Sequence, residues 1–248
     1  MRWIYLSPHL DDAVLSAGGL IFEQTESGIP VEIWTCMSGY PPDLPAHAYS
    51  SFAQSLHAQW GFSSAVEGIR LRRAEDRKAA ALVGADVVHF DFLDCIYRRG
   101  ESGDWLYYDI IDPPREEDAE IPSEIARAVS ARLTREDVLV CQLSVGSHVD
   151  HVLVRQAAEL LGRPVLYDVD IPYLFRTPEE LEPKAAGMLE SVHPVTEAGL
   201  KSWQEAILEY KSQIVVLGES FDTPEKAVAA IQSYWAEREG IPLWKKVA

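Results

Sequence analysis

The sequence predicts an α/β fold, a doubly wound and mostly parallel sheet flanked by helices. Three observations carry this. Short runs rich in β-branched and aromatic residues alternate with helix-period segments from residue 2 to about 170. The opening strand, helix and strand form a βαβ unit, which implies parallel strands joined by a right-handed crossover. The long irregular segments leave the carboxyl ends of strands, the edge at which open α/β sheets bind ligands.

The elements follow in order. Trp3 to Leu6 is the first strand, ending at Ser7-Pro8. A helix is expected from about Asp12 to Ser27, with Val14, Leu15, Leu20, Ile21 and Phe22 on one broad face. Val31 to Cys36 reads as the second strand. Residues 37–68 interrupt the rhythm: Gly39-Tyr40-Pro41-Pro42-Asp43-Leu44-Pro45 is loop, followed by a short helix from Phe52 to Trp60. A helix is expected from about Arg70 to Val83, stopped by Gly84, and then a strand from Val87 to Phe92. Residues 94–122 form a second, acidic insertion. Beyond it come a helix from about Glu124 to Thr134, a buried strand from Val138 to Leu143, a helix from Asp150 to Leu161 and a strand from Val165 to Val169. Five parallel strands are the minimum. The remainder reads as mostly helical, about Glu197 to Gln213 and Pro224 to Glu239, with Thr223 as N-cap. No linker or internal repeat divides the chain, so residues 1–248 read as one domain.

Composition narrows the class. The chain is 47% hydrophobic and 25% charged, the balance of a globular protein with a substantial core. Its net charge of −17 would be repelled by nucleic acid or an anionic membrane surface. Cys36, Cys95 and Cys141 are too few and too widely spaced for a disulfide framework or a Cys-rich zinc site, and suit free thiols in a reducing compartment. No apolar run is long enough for a signal peptide or a membrane span. A cytoplasmic protein with a small-molecule partner is the expectation.

Two segments carry chemistry. Ser7-Pro8-His9-Leu10-Asp11-Asp12 sits between the first strand and its helix, and His148-Val149-Asp150-His151 follows the buried strand 138–143. Both belong on the same edge of the sheet. His9 and Asp12, three apart at a helix entry, can point to one side. With His151 they make two imidazoles and a carboxylate, a set that suits a catalytic zinc with a position left open for water. Asp11 points elsewhere and is free to act as a base. His148 can face the substrate. Asp150 can hold an imidazole from behind. Each also has a plain structural reading, because acids at helix starts cap the helix and interact with its dipole.

Other residues invite plainer readings. His89 lies in a strand and suits a satisfied core histidine, whereas His47, His57 and His193 have no partner at ligand spacing. Gly18-Gly19 falls too late in its helix for a phosphate loop and suits close helix packing. Trp105, Tyr107 and Tyr108 suit a plug over the sheet edge, with a sugar-stacking rim as the alternative.

The segment from Pro8 to Gly19 resembles the signature of the PIG-L/LmbE family of N-acetylglucosaminyl deacetylases, and His148-Val149-Asp150-His151 resembles its second motif. Arg72-Arg73-Ala74-Glu75, Phe92-Leu93-Asp94 and the group Ala206, Tyr210, Ser212 and Gln213 are weaker matches. The resemblance runs from residue 4 to about 213. It implies a Rossmann-like sheet and zinc-dependent hydrolysis of an N-acetyl group on a glucosamine-type sugar or conjugate, with one Zn2+ per chain. By motif position His9, Asp12 and His151 bind zinc, Asp11 is the general base and His148 assists at the tetrahedral intermediate. Arg72 (or Arg73) and Asp94 contact the substrate. Self-association is common in the family. Leu10, Ala13 and Val149 depart from its usual residues, which bears on subfamily and substrate. Two other readings stay open: a related metallohydrolase acting on another amide or ester, and a non-catalytic module with a structural metal. An unused base at Asp11 argues against the last.

Overall fold

A computed structural model describes residues 1–247. Seven strands and ten helices follow in chain order: β1 (Trp3–Ser7), α1 (Asp12–Glu26), β2 (Val31–Thr35), α2 (Ser51–Trp60), α3 (Ala65–Leu82), β3 (Asp86–His89), α4 (Ile121–Ser130), β4 (Val138–Gln142), α5 (Val149–Leu160), β5 (Val165–Asp168), α6 (Tyr173–Arg176), α7 (Leu181–Lys184), β6 (Met188–Pro194), α8 (Glu197–Ile207), α9 (Lys211–Ile214), α10 (Pro224–Ala236) and β7 (Gly240–Lys246).

One mixed sheet runs in the order β3-β2-β1-β4-β5-β7-β6. The five strands from β3 to β5 are parallel, as the alternating pattern predicts, and β7 and β6 add an antiparallel edge. The chain winds outward from β1 through β2 to β3, then returns to place β4 on the other side of β1. The crevice between β1 and β4 is the switch point at which such sheets bind ligands. This topology sets the two His/Asp segments side by side, although some 140 residues separate them.

β6 and β7 are corrections to the mostly helical reading beyond residue 170. β6 is exposed along most of its length, so its residues show no apolar alternation. Pro242 sits inside β7, and proline there argues against a strand by pattern alone. The long helix expected from Glu197 to Gln213 is two, because the chain turns between Leu208 and Tyr210. α3 starts five residues earlier than expected, at Ala65, where Ser64 caps it by accepting the Glu67 N–H. α4 lies a turn earlier than expected, with Pro122 in its first turn. β3 ends at His89 because the chain leaves the ladder there to form an isolated bridge between Asp91 and Met37.

Gly18 and Gly19 do serve close packing. A Cβ on Gly18 would lie 2.5 Å from Trp203, and one on Gly19 would lie 2.8 Å from Val195, so these glycines let α8 rest on α1. Trp203 then donates its indole N–H to the Val14 carbonyl at 2.7 Å. All three cysteines are buried free thiols. Among the described residues no helix is long and apolar enough to cross a membrane.

Candidate metal centre and active-site cleft

Asp11 and Asp12 stand at the mouth of α1. Asp11 is the N-cap residue, yet its side chain makes no capping bond, so it is not held there as a cap. It faces Arg72 across 3.5 Å instead. Asp12 turns back toward the strand. Its Oδ2 accepts the His9 N–H at 2.7 Å, lies 3.2 Å from His9 Nδ1 and 3.3 Å from His151 Nε2.

The second motif arrives through a strained loop. Ser144 and Ser147 hold left-handed backbone, with φ of 60° and 56°. Gly146 between them has φ 83°, and a Cβ there would meet Tyr173 at 2.6 Å. The loop is anchored where the Ser144 hydroxyl donates to the His151 carbonyl at 2.9 Å. His148 caps α5 with its ring, Nδ1 accepting the Asp150 N–H at 3.1 Å. Its neutral ring therefore carries the proton on Nε2. The His148 ring centroid is 4.7 Å from that of His9 and 4.9 Å from that of His151.

Carboxylates hold the imidazoles from behind. His9 Nε2 meets Asp150 Oδ2 at 3.0 Å, so Asp150 holds His9 and is no simple helix cap. His151 Nδ1 meets Asp170 Oδ1 at 2.7 Å, which leaves His151 Nε2 buried without a hydrogen-bond partner, directed at Asp12. Such a nitrogen beside a shared carboxylate oxygen is a donor set that fits a cation. The field agrees. Burial opposes charge on His9 and His151, yet the surrounding carboxylates raise both, the latter to about 9. A site that draws protons so strongly draws a metal ion for the same electrostatic reason.

His9, His148 and His151 place ligand atoms within 4.8 Å of one another, so His148 is near enough to share an ion. Cys95, His148 and Asp150 meet the same limit. Asp150 is already paired with Arg98 and His9, which makes that group the poorer place for a cation.

Burial raises Asp11 to about 7; Arg72 pulls it down and the Asp12 charge adds to the rise. A carboxylate near neutrality suits a general base. Against burial, His151 and His9 hold Asp12 well below the usual carboxylate range. Burial, with His9 and His151 close by, pushes His148 well below its ordinary value, so it is a neutral donor.

His9, Asp11, Asp12 and His148 line an open cleft of about 140 Å³, with Arg72 and Asp94 in its wall. Leu56, Gln59 and Trp60 come from the first insertion and Ile110 from the second. The two arginines part company here. Arg72 faces the cleft, whereas Arg73 binds the Ser38 carbonyl at 2.8 Å and Asp91 at 2.7 Å.

The comparisons with known proteins bear on this geometry. A family model described as PIG-L, GlcNAc-PI de-N-acetylase, matches residues 4–161. The chain belongs to the PIG-L family. It is 28% identical to the 2'-N-acetylparomamine deacetylase of Niallia circulans over 98% of this chain and 93% of that one. It is similar in structure to the zinc-inhibited form of teicoplanin deacetylase Orf2, with TM-score 0.83 and 27% identity over 99% of this chain and 97% of the other. The A40926 pseudoaglycone deacetylase Dbv21 gives TM-score 0.75 and 25% identity over 98% and 96%. Each of these relatives is a deacetylase.

The weaker PIG-L-like matches also meet in space. Glu75 on α3 accepts from Ser212 at the backbone nitrogen (3.0 Å) and the hydroxyl (2.6 Å), and Gln213 lines the cleft. His89 is satisfied by Asp76 at 2.7 Å, and His57 by the Tyr97 hydroxyl at 2.8 Å. Tyr107 is buried, Trp105 packs on Tyr49, and Tyr108 is exposed. None of these three aromatic residues lines the cleft, so they form no sugar-stacking rim there. Sequence reasoning missed Asp170, Tyr173, Trp60 and Arg98. The run Asp168-Val169-Asp170 at the end of a strand on the binding edge was the available signal for the first.

Proposed function

We propose that this chain, acting as one domain over residues 1–248, is a zinc-dependent hydrolase. It removes the N-acetyl group from an N-acetylglucosamine-type sugar or conjugate, releasing acetate and a free amine. One observation carries the reading. A single carboxylate oxygen of Asp12 lies within 3.3 Å of ring nitrogens of both His9 and His151, with Asp11 in the same cleft.

His9, Asp12 and His151 would hold the ion. When bound, zinc supplies Lewis-acid chemistry, polarising the amide carbonyl and making water a better nucleophile. Asp11 takes the proton from the attacking water. As the water oxygen bonds to the carbonyl carbon, the carbonyl oxygen becomes an oxyanion and accepts a hydrogen bond from His148 Nε2–H. Asp11 returns its proton to the departing nitrogen as the carbon–nitrogen bond breaks. Arg72 and Asp94 bind hydroxyls of the sugar, the first as a donor and the second as an acceptor.

The relatives' names support N-acetylated amino sugars as the substrate class. The test is to quantify bound metal in purified protein and assay acetate release from a panel of such sugars. One zinc per chain, with release lost on chelation and restored by zinc, is the expected result. Stoichiometric zinc with release only from other amides or esters would overturn the substrate. No metal after reconstitution at neutral pH would overturn the reading.

A further inference from the structure

The second insertion reaches behind the metal centre through one side chain. Arg98 is 6% exposed and ties together groups from four places in the chain. Its Nη1 lies 2.6 Å from Asp150 Oδ1 and 3.1 Å from the Leu93 carbonyl, and its Nε lies 2.9 Å from Asp118 Oδ2. The guanidinium also sits over the Tyr107 ring, 5.1 Å from its centroid. Tyr107 in turn donates its hydroxyl to Asp118 Oδ2 at 2.7 Å and accepts the Arg115 N–H at 2.9 Å.

Asp150 is wholly buried and has two tasks. Its Oδ2 meets His9 Nε2 and accepts the Cys95 N–H at 2.9 Å. Its other oxygen has Arg98 as its counter-charge. A buried carboxylate without a cation is costly, and it would reorient or draw in another positive partner. Arg98 therefore sets the position of Asp150, and Asp150 sets the ring of His9.

We propose that Arg98 is a positioning residue for the metal centre, acting through Asp150 on His9, and that the second insertion is anchored by Asp118 to supply it. This rests on the ligand set proposed above. It assigns the insertion a task besides shaping the cleft, since Arg98 itself does not line the cleft. Arginine is the suitable cation because its planar fork can serve two carboxylates at once.

The experiment measures zinc affinity of the full chain by competition with a chromophoric chelator, alongside the thermal melt of the metal-free protein. For Arg98→Met the affinity should fall roughly tenfold to a hundredfold, the usual cost of losing a group behind a ligand. Arg98→Lys, which restores the charge, should recover part of it. A folded Arg98→Met protein that binds zinc as tightly as wild type would overturn the proposal. If Arg98→Met does not fold, Asp118→Asn decides: it loosens Arg98 without uncovering Asp150 and should lower zinc affinity by a smaller factor, and unchanged affinity there would overturn the anchoring. Failure of the wild-type chain to bind zinc would instead overturn the proposed function.

Discussion

Asp170 and His151 share a hydrogen bond of 2.7 Å in the fully buried floor of the site. Asp170 also accepts the Val145 N–H at 2.8 Å, so its carboxylate is fixed by the loop that delivers His151. The bond places the His151 proton on Nδ1 and turns the Nε2 lone pair toward Asp12. Asp170→Asn keeps the shape but loses the negative acceptor. Zinc affinity should fall by about tenfold to a hundredfold. Equal affinity in a chelator competition would contradict the role of Asp170.

Asp11 should separate metal binding from catalysis. Asp11→Asn keeps the size of the side chain and all three proposed ligands, so zinc content should stay at the wild-type level. Turnover should fall on the order of 10²–10⁴-fold, the usual contribution of a general base. Full activity with zinc bound would show that another group takes the proton.

Neighbouring arginines on α3 should behave differently. Arg72→Ala removes a charged donor from the cleft wall and should lower kcat/KM by roughly tenfold to a hundredfold. Arg73→Ala removes a brace between α3 and the carbonyls of Ser38 and Phe90, so its effect should fall on the melting temperature. Steady-state kinetics and thermal melts on both variants check this, and the reverse pattern would exchange their roles.

Helix packing on the far side of α1 gives a stability test. In Gly18→Ala the new methyl must displace Trp203, whose Cδ1 would be 2.5 Å away. Overpacking of this kind costs about 1–3 kcal/mol. The melting temperature should drop by several degrees while zinc affinity is kept. An unchanged melt would mean that α8 shifts freely.

The base of the sheet should report acid sensitivity. Asp137 is partly desolvated, but bonds from Arg2 and the Thr134 N–H hold its pKa below the ordinary value. A depressed native pKa stabilises the fold above the unfolded value of about 3.9, and this stabilisation is lost as the pH falls through the native value. Asp137→Asn should therefore be less stable than wild type at pH 7, with the gap closing below about pH 4. Urea unfolding at both pH values measures it, and a pH-independent gap would discount the charge.

The residues of the site were legible because their types are improbable together. His9, Asp11 and Asp12 crowd one strand-to-helix turn, and His148, Asp150 and His151 crowd another. What was illegible is who faces whom. Asp150 could equally have capped α5; it binds His9 and Arg98 because β4 lies beside β1. Arg98 and Trp60 lie in no patterned motif, and only the folded chain brings them to the cleft or behind it.

By itself the sequence determined the alternating α/β order, the parallel strands β1 to β5 and the two turns that carry the site, since local periodicity and side-chain chemistry set these. The tertiary structure alone decided the antiparallel edge of β6 and β7, the choice of Arg72 over Arg73 for the cleft, and the carboxylates behind each imidazole. Those depend on contacts between residues up to about 140 positions apart, which no local pattern encodes.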